Sequence, residues 1–487
     1  MGLREKVFSG LRYSALTKFF ETSFSFVLAI IMARLLGPEV FGLIAMVVVF
    51  TGINELFVNF GTEDAIIRHK RSDRSFLSSI FWLNTAVGIV VFSILLLSGE
   101  LIANFYGYPI LRWIVYLMAT KVIFSAMSIV PRGILMRKMN FKAIFFQKII
   151  VVPTSGIIAI VLALNGFGVW SLVTHQIITV VFSAAIVWVL ANWVPRLSFD
   201  IRHIKEIFSF SSYLSLAKFA NYFTKKGDLF LIGKFLGATP LGFYAKGYGL
   251  LVRPLKLING IILPVLFPAI SEIQHDTRQL RLIYLQCSQI MALIYFPILV
   301  GSIFLAEPFV LLLLGEKWAA IIPLVPIFTT MLIFISQSSI ASHYLKALGK
   351  TRKLFVIMML SSVVTIVSFV IGLQWGIVGV ARGYCLSILF QYILFTIVAS
   401  SLIKLAIGKI LINLKIVFFS SLAMSLGIFL SLWFMYYLEI TSHLLTFIGG
   451  GSLGLICYLG FLHFHPIEAN QLFREFLLQR KVKIATS

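Results

Sequence analysis

The chain has 487 residues, of which 60% are hydrophobic and 12% are charged, and its mean hydropathy is +0.99. Apolar runs of about twenty residues recur from one end to the other, which is typical of a helical protein that crosses a membrane many times. The formal charge of +23 does not indicate a nucleic-acid partner, because the basic residues form small clusters between apolar runs and no continuous basic face.

The cysteines exclude two further classes of site. Cys287, Cys385 and Cys457 each lie within an apolar run, and none has CxxC spacing. Neither a disulfide framework nor a thiolate metal site is indicated, and these thiols are expected to be small core residues. We therefore expect no metal and no cofactor.

About 14 membrane-spanning helices are predicted from the apolar runs between polar breaks. Their expected bounds are 14–35, 40–62, 77–98, 110–130, 143–164, 168–190, 208–234, 242–268, 282–305, 319–345, 355–373, 376–400, 416–437 and 444–464. Of the 41 basic residues, 27 lie in the termini and in the loops on their side, one (Lys317) lies in the opposite loops, and 13 lie within spans. Because positive loops remain cytoplasmic, we predict that both termini are cytoplasmic.

The outer loops are short, with none longer than about a dozen residues by this count of spans. They leave no room for the extracytoplasmic catalytic domain that membrane glycosyltransferases and polysaccharide polymerases usually carry. We therefore expect a protein that is not an enzyme. A membrane polymerase or glycosyltransferase is kept as the less favoured alternative.

An internal repeat relates the first span to the seventh at a shift of 200 residues. The positions identical to their partners are Tyr13, Leu16, Lys18, Phe19, Leu36, Gly37 and Gly42. Two homologous lobes of six helices are predicted, as parallel repeats about an axis along the membrane normal. The expected domains are 1–205 (spans 1–6), 206–411 (spans 7–12), and 412–487, with two appended helices and a basic cytoplasmic tail.

The seventh and eighth spans carry charges within their apolar runs, where they are not needed to set the orientation of the helices. Three charges on each follow the spacing i, i+7, i+10: Lys218, Lys225 and Asp228 on the seventh, and Lys246, Arg253 and Lys256 on the eighth. At 100° per residue each trio lies within about 80° of arc. One charge at the centre of a membrane helix costs roughly 2.5 to 3.5 kcal/mol, so these side chains should line a wet cavity or pair with one another.

Cations exceed anions at mid-depth, which favours a cationic substrate site over a purely structural network. The predicted site residues are Lys18, Lys218, Lys225, Lys226, Arg253 and Lys256. Arg34, Lys121, Lys234 and Lys246 are secondary candidates. The carboxylates Glu21, Glu55 and Asp228 are the obvious proton or sodium sites, and for each a structural partnership with a nearby lysine is the alternative. An anionic cargo such as phosphate or pyrophosphate would match lysine and arginine ligands.

Several segments resemble the polysaccharide-transporter (Wzx-type) branch of the multidrug/oligosaccharidyl-lipid/polysaccharide (MOP) flippase superfamily. They read ARLLGPEVFG from Ala33, GTEDAIIRHKRSDRSFLSSIFWLN from Gly61, GDLFLIGKFLGATPLGFYAKGYGL from Gly227 and LLGEKWAAIIPLVPI from Leu313. The resemblance implies a V-shaped pair of six-helix lobes in the bacterial cytoplasmic (inner) membrane. It also implies a cationic cavity lined by the first, second, seventh and eighth helices, which would include Lys18, Lys218, Lys225, Arg253 and Lys256.

The implied function is a flippase that carries an oligosaccharide linked to undecaprenyl pyrophosphate to the outer leaflet by alternating access. The resemblance also makes a polysaccharide polymerase and a chain-length regulator candidate partners. A drug or cation antiporter of the same superfamily is the alternative, although such a protein would be expected to have an acidic or aromatic cavity.

Overall fold

The computed structural model describes residues 3–52, 62–63, 66, 73–200, 222, 226–440 and 442–465, and it leaves the side chains of 3–8, 11, 253–265 and 267–269 undescribed. All regular structure in these ranges is helical. The helices are α1 (Leu3–Leu35), α2 (Pro38–Thr51), α3 (Arg74–Tyr106), α4 (Ile110–Arg137), α5 (Phe141–Leu164), α6 (Val169–Ala191), α7 (226–235), α8 (Ala238–Glu272), α9 (Thr277–Phe304), α10 (Ala306–Leu314), α11 (Leu324–Ala347), α12 (Thr351–Gly372), α13 (Gly376–Leu402), α14 (Ile407–Tyr437) and α15 (His443–Phe464).

Ten stretches of the described residues are long and apolar enough to cross a membrane, and one of them, Thr351–Leu402, contains both α12 and α13. The predicted all-helical membrane fold is confirmed at this level. The count of 14 spans and the cytoplasmic placement of both termini stay predictions.

The segment that follows α9 differs from the expected loop. Residues 306–318 were predicted to be an outer connection, whereas the chain forms α10 and then a 3-10 turn over Glu316–Ile321. The apolar run of α10 supports a short helix, and Glu307 in its first turn interacts favourably with the helix dipole. Gly315, with φ of 88°, ends α10, and α11 consequently begins at Leu324 instead of 319.

Residues Met1–Ala245 form one compact unit and Lys246–Ser487 form a second. In the first unit, α3 packs on α4, α4 on α6, and α5 on α6. In the second unit, α9 packs on α11, α11 on α13, and α12 on α13. This is the same order of neighbours, as the predicted duplication requires. The domain boundaries proposed at 205 and 411 stay predictions.

Two prolines inside helices free a backbone carbonyl that a neighbouring helix then uses. Proline has no N–H, so the carbonyl four residues earlier lacks its helical donor. Pro131 in α4 frees the Met127 oxygen, which accepts a hydrogen bond of 3.1 Å from the Trp188 indole of α6. Pro297 in α9 frees the Leu293 oxygen, which accepts one of 3.0 Å from the Tyr458 hydroxyl of α15.

The appended helices α14 and α15 pack on one another and on α9. Besides the Tyr458 bond, the Asn413 side chain of α14 donates to the Leu285 oxygen of α9 at 2.8 Å, and Gln289 of α9 donates to the Asn413 oxygen at 3.0 Å. Interhelical hydrogen bonds of this kind stabilise helix association where no water competes for the groups. The appended pair is therefore an integral part of the second unit.

Candidate functional site

Eight of the thirteen predicted site residues have described side chains: Lys18, Glu21, Arg34, Lys121, Lys226, Asp228, Lys234 and Lys246. Lys218, Lys225 and Glu55 lie outside the described residues. Arg253 and Lys256 lie in α8, but their side chains are undescribed. The predicted cationic cavity therefore stays a prediction.

Asp228 is a buried carboxylate in α7, with 5% of its surface exposed. Its Oδ1 accepts the Leu229 N–H at 2.7 Å. The buried Tyr244 of α8 interacts with the carboxylate through its hydroxyl, and the Lys226 ammonium attracts it electrostatically. A carboxylate inside a membrane helix is costly and usually has a functional or pairing role. Asp228 thus has a polar environment built from α7 and α8, within the first unit.

Lys234, near the C-terminal end of α7, caps another helix. Its ammonium donates to the Phe105 carbonyl in the last turn of α3 and lies 4.5 Å from the Phe105 ring centroid. A cation at the C-terminus of a helix satisfies a free carbonyl and interacts favourably with the helix dipole. In this conformation, Lys234 ties α7 to α3, a role that sequence spacing did not indicate.

Lys246 is the first residue of the second unit and is 8% exposed. Its ammonium lies 5.9 Å from the ring centroid of Trp318, which is fully buried. A cation over an indole face is stabilised by the ring quadrupole, most strongly when both groups are desolvated. Trp318 was not singled out from the sequence, because no spacing relates it to Lys246.

Glu21 of α1 forms an ion pair of 2.9 Å with Lys148 of α5. The two helices run parallel and in contact: Gly10 faces Phe141 near their starts, and Gly156 faces Leu28 further along. Lys148 was counted among the intramembrane cations but was not chosen as a site residue. Its partner becomes apparent only once α1 and α5 are adjacent.

Lys121 of α4 has a polar partner in α6. Its ammonium donates to the Gln176 side-chain oxygen at 2.8 Å, and it acts electrostatically on the partly buried His175, the residue before Gln176 in the chain. Gln176 and His175 were not among the predicted site residues. This cluster lies inside the first unit, so Lys121 helps to join α4 to α6 in this conformation.

Lys18 is exposed on α1, and it does not border the apolar recess formed by that helix. The recess has a volume of about 440 Å³ and is lined by Leu16, Phe19, Phe20, Ser23, Phe24, Val27 and Phe145. At 100° per residue, Lys18 lies about 200° around α1 from Leu16, on the opposite face. The recess is therefore an apolar surface of α1 and α5 and is distinct from the predicted cationic cavity. Arg34 is exposed in the last turn of α1, as expected for a cation at a helix C-terminus.

Known proteins match this chain over most of its length. A family described as "Polysaccharide biosynthesis protein" matches residues 31–323. The lipopolysaccharide biosynthesis protein WzxC of Escherichia coli (strain K12) is 28% identical over 394 residues, 79% of each chain. The succinoglycan biosynthesis transport protein ExoT of Rhizobium meliloti (strain 1021) is 25% identical over 343 residues, 70% of this chain and 69% of ExoT.

Two solved structures share the fold. The lipid II flippase MurJ has a TM-score of 0.75 at 16% identity, with 96% of this chain and 100% of that chain covered. An inward-facing multidrug transporter of the MATE family in the MOP superfamily has a TM-score of 0.62 at 15% identity, with 81% and 99% covered. Together with the sequence relatives, these likenesses confirm the resemblance found in the motifs. The chain therefore belongs to the polysaccharide biosynthesis protein family, and it is a multi-pass membrane protein that shares its fold with MurJ and with the MATE-family transporter.

Proposed function

We propose that this protein is a flippase that moves an oligosaccharide linked to undecaprenyl pyrophosphate across the bacterial cytoplasmic membrane. The product would serve the synthesis of exopolysaccharide, O-antigen or capsule. The observation that carries this proposal is the match to the polysaccharide biosynthesis family over residues 31–323. The fold likeness to a lipid flippase is consistent with it, since that likeness extends over 96% of the chain.

The intramembrane cations support an anionic headgroup as cargo. Lys218, Lys225, Lys226, Arg253 and Lys256 lie on the two spans with polar stripes. A pyrophosphate offers acceptor oxygens and negative charge to both ammonium and guanidinium groups. Lys225, Lys226, Arg253 and Lys256 would bind the headgroup near mid-depth, and Lys218 would contact it nearer the cytoplasm. The polyprenyl chain would stay in the lipid while both lobes alternate in access to the two sides.

Asp228 is the carboxylate that we assign to ion coupling among the described residues. Glu21 already has an ammonium partner at 2.9 Å, whereas Asp228 is 5% exposed and interacts with the Tyr244 hydroxyl. Binding of a proton or a sodium ion would change the charge of this pocket, which α7 and α8 form together. That change would couple an ion gradient to movement of these two helices.

Complementation of a deletion strain tests the cargo. Loss of the protein is expected to stop export of the glycan. The lipid-linked precursor of the glycan should then accumulate on the cytoplasmic side. Complementation with Lys225→Gln, Arg253→Gln or Lys256→Gln should restore the membrane level of the protein without restoring export. Lys317→Gln, which neutralises an exposed lysine in the second unit, is the matched control. Normal export by the three neutral variants would contradict the proposal of a cationic site.

Enzymatic activity, drug extrusion and partner proteins each have a separate test. We expect no enzymatic activity, so purified protein should transfer no sugar from a nucleotide-sugar donor to a lipid acceptor.

The MATE likeness makes drug extrusion the second candidate function. Increased drug susceptibility of the deletion strain, with normal glycan export, would favour it. A polysaccharide polymerase and a chain-length regulator are the proposed partners, and co-purification from membranes would detect them.

A further inference from the structure

The first turns of α2 and α8 cross one another at backbone distance. A Cβ atom added to Gly42 would lie 1.8 Å from the Ala238 carbonyl oxygen, and one added to Gly242 would lie 1.8 Å from the Pro38 oxygen. Real Cβ contacts are never this short, so each helix has a glycine where the other presents a carbonyl. Small residues permit such close approach of two helices in a membrane.

The crossing is reciprocal in the internal repeat. At a shift of 200 residues, Pro38 corresponds to Ala238 and Gly42 corresponds to Gly242. Gly42 faces Ala238, and Gly242 faces Pro38. The two contacts are therefore equivalent under the repeat. Two equivalent hairpins, α1–α2 and α7–α8, therefore meet about a local two-fold relation, and both glycines lie in the first compact unit.

Contact between α2 and α7 continues inward from the crossing. Met46 lies against Gly233, and the rings of Phe50 and Phe230 are 6.2 Å apart. Further along, the Tyr222 hydroxyl donates to the Val49 oxygen at 2.8 Å. From Gly42 to Val49 these contacts extend about 10 Å along α2, at 1.5 Å per residue. They close the space between the two hairpins over that depth.

We propose that this crossing is the outer closure of the transport path, and that Gly42 and Gly242 are positioning residues that determine how completely it closes. The proposal rests on the proposed flippase function and on the predicted orientation, which places the turns after α1 and α7 on the outer side. A lipid-linked headgroup that leaves toward the outer leaflet must pass between these hairpins, so the crossing separates once in each cycle.

Electrostatic repulsion between the N-termini of α2 and α8 allows the two helices to separate at the crossing. Two helix N-termini, each with a partial positive charge, lie side by side at Pro38 and Ala238. Glu39 in the first turn of α2 offsets this repulsion, whereas its counterpart in the other repeat is the uncharged Thr239. Close backbone packing therefore favours the closed state and like-signed helix ends oppose it. Substitutions that disturb the packing or increase the repulsion should therefore shift the equilibrium from the closed toward the open state.

Accessibility of a cysteine beneath the crossing tests the proposal. Ala45 lies one turn further along α2 and is 8% exposed. In a background with the native cysteines Cys287, Cys385 and Cys457 replaced by serine, Ala45→Cys would be labelled from outside spheroplasts with a membrane-impermeant maleimide. Because an added methyl group cannot fit at either crossing position, Gly42→Ala and Gly242→Ala should each accelerate labelling by about tenfold.

Gly37→Ala is the matched control. Gly37 precedes the same helix, has φ of −77° and would place its added methyl in open space, so labelling should stay at the starting rate. Glu39→Gln provides a test that does not depend on tight packing, because Glu39 is exposed. Loss of its charge should accelerate labelling by about two- to fivefold.

Equal labelling rates in the starting protein, Gly42→Ala and Gly242→Ala would overturn the proposal. If neither glycine variant reaches the membrane, Glu39→Gln decides in their place, and an unchanged rate in that variant overturns it. Because the readout is access to residue 45, it does not depend on the cargo. Faster labelling combined with undisturbed glycan synthesis in the deletion strain would retain the closure while rejecting the proposed flippase function.

Discussion

The Lys148 ammonium and the Glu21 carboxylate form an ion pair of 2.9 Å between α5 and α1, with 24% and 34% of the two side chains exposed. Within a membrane, a carboxylate that already has a cationic partner is a less suitable site for a second cation. The pair therefore favours a structural role for Glu21 in this conformation over the alternative of ion coupling.

A double-mutant cycle tests this role. Glu21→Gln and Lys148→Gln should each destabilise the detergent-solubilised protein, because each leaves one partially buried charge unpaired. The double variant should be more stable than the sum of the single effects predicts, with a coupling of about 1 kcal/mol. Thermal unfolding of the four proteins measures this coupling. Additive effects would show that the pair contributes nothing in solution.

Asp228→Asn should abolish or strongly reduce glycan export while the protein still accumulates in the membrane. The substitution keeps the size of the side chain and removes its charge, so it addresses the proposed coupling role without creating a cavity. Tyr244→Phe should have a smaller effect in the same direction, because the interacting hydroxyl is lost but the carboxylate remains. Export assays with protein levels measured in membranes would check both. Full export by Asp228→Asn would contradict the proposed role of the Asp228 carboxylate in ion coupling.

Lys234→Met should lower stability and leave export largely intact. The variant loses the bond to the Phe105 carbonyl and the charge at the end of α3, which together contribute about 0.5 to 1 kcal/mol. Lys234→Arg, which retains a cation and a donor, is the control and should behave like the starting protein. A loss of export in Lys234→Met, at unchanged stability, would instead support the predicted role of Lys234 as a secondary residue of the substrate site.

Tyr458→Phe should destabilise the protein by about 0.6 kcal/mol, because the Leu293 carbonyl freed by Pro297 loses its donor. In a Pro297→Ala background the helix supplies its own N–H to that carbonyl, so Tyr458→Phe should cost less there. Tyr437→Phe alters a ring that is 74% exposed on α14 and should be neutral. Thermal unfolding of the variants tests this, and an equal cost in both backgrounds would contradict the expected dependence on proline.

The membrane fold was predictable from sequence, whereas most side-chain partnerships were not. Apolar runs located the helices because length and hydropathy determine what can cross a bilayer. The 200-residue shift identified Gly42 with Gly242 but did not reveal that each faces the other hairpin. Lys148 and Trp318 were missed because their partners, Glu21 and Lys246, are distant in sequence. Such contacts depend on helix adjacency, which periodicity within one helix does not specify.

The bond between Leu293 and Tyr458 has a consequence for the order in which the protein is made. The two residues are 165 positions apart, so at translation rates of roughly 5 to 20 residues per second the donor is synthesised roughly ten to thirty seconds after the acceptor. During that interval, α9 has an unsatisfied carbonyl on the face where α15 later packs. Insertion of the last two helices therefore completes the backbone hydrogen bonding of a helix made much earlier, and a chain truncated before α15 would leave that defect in the bilayer.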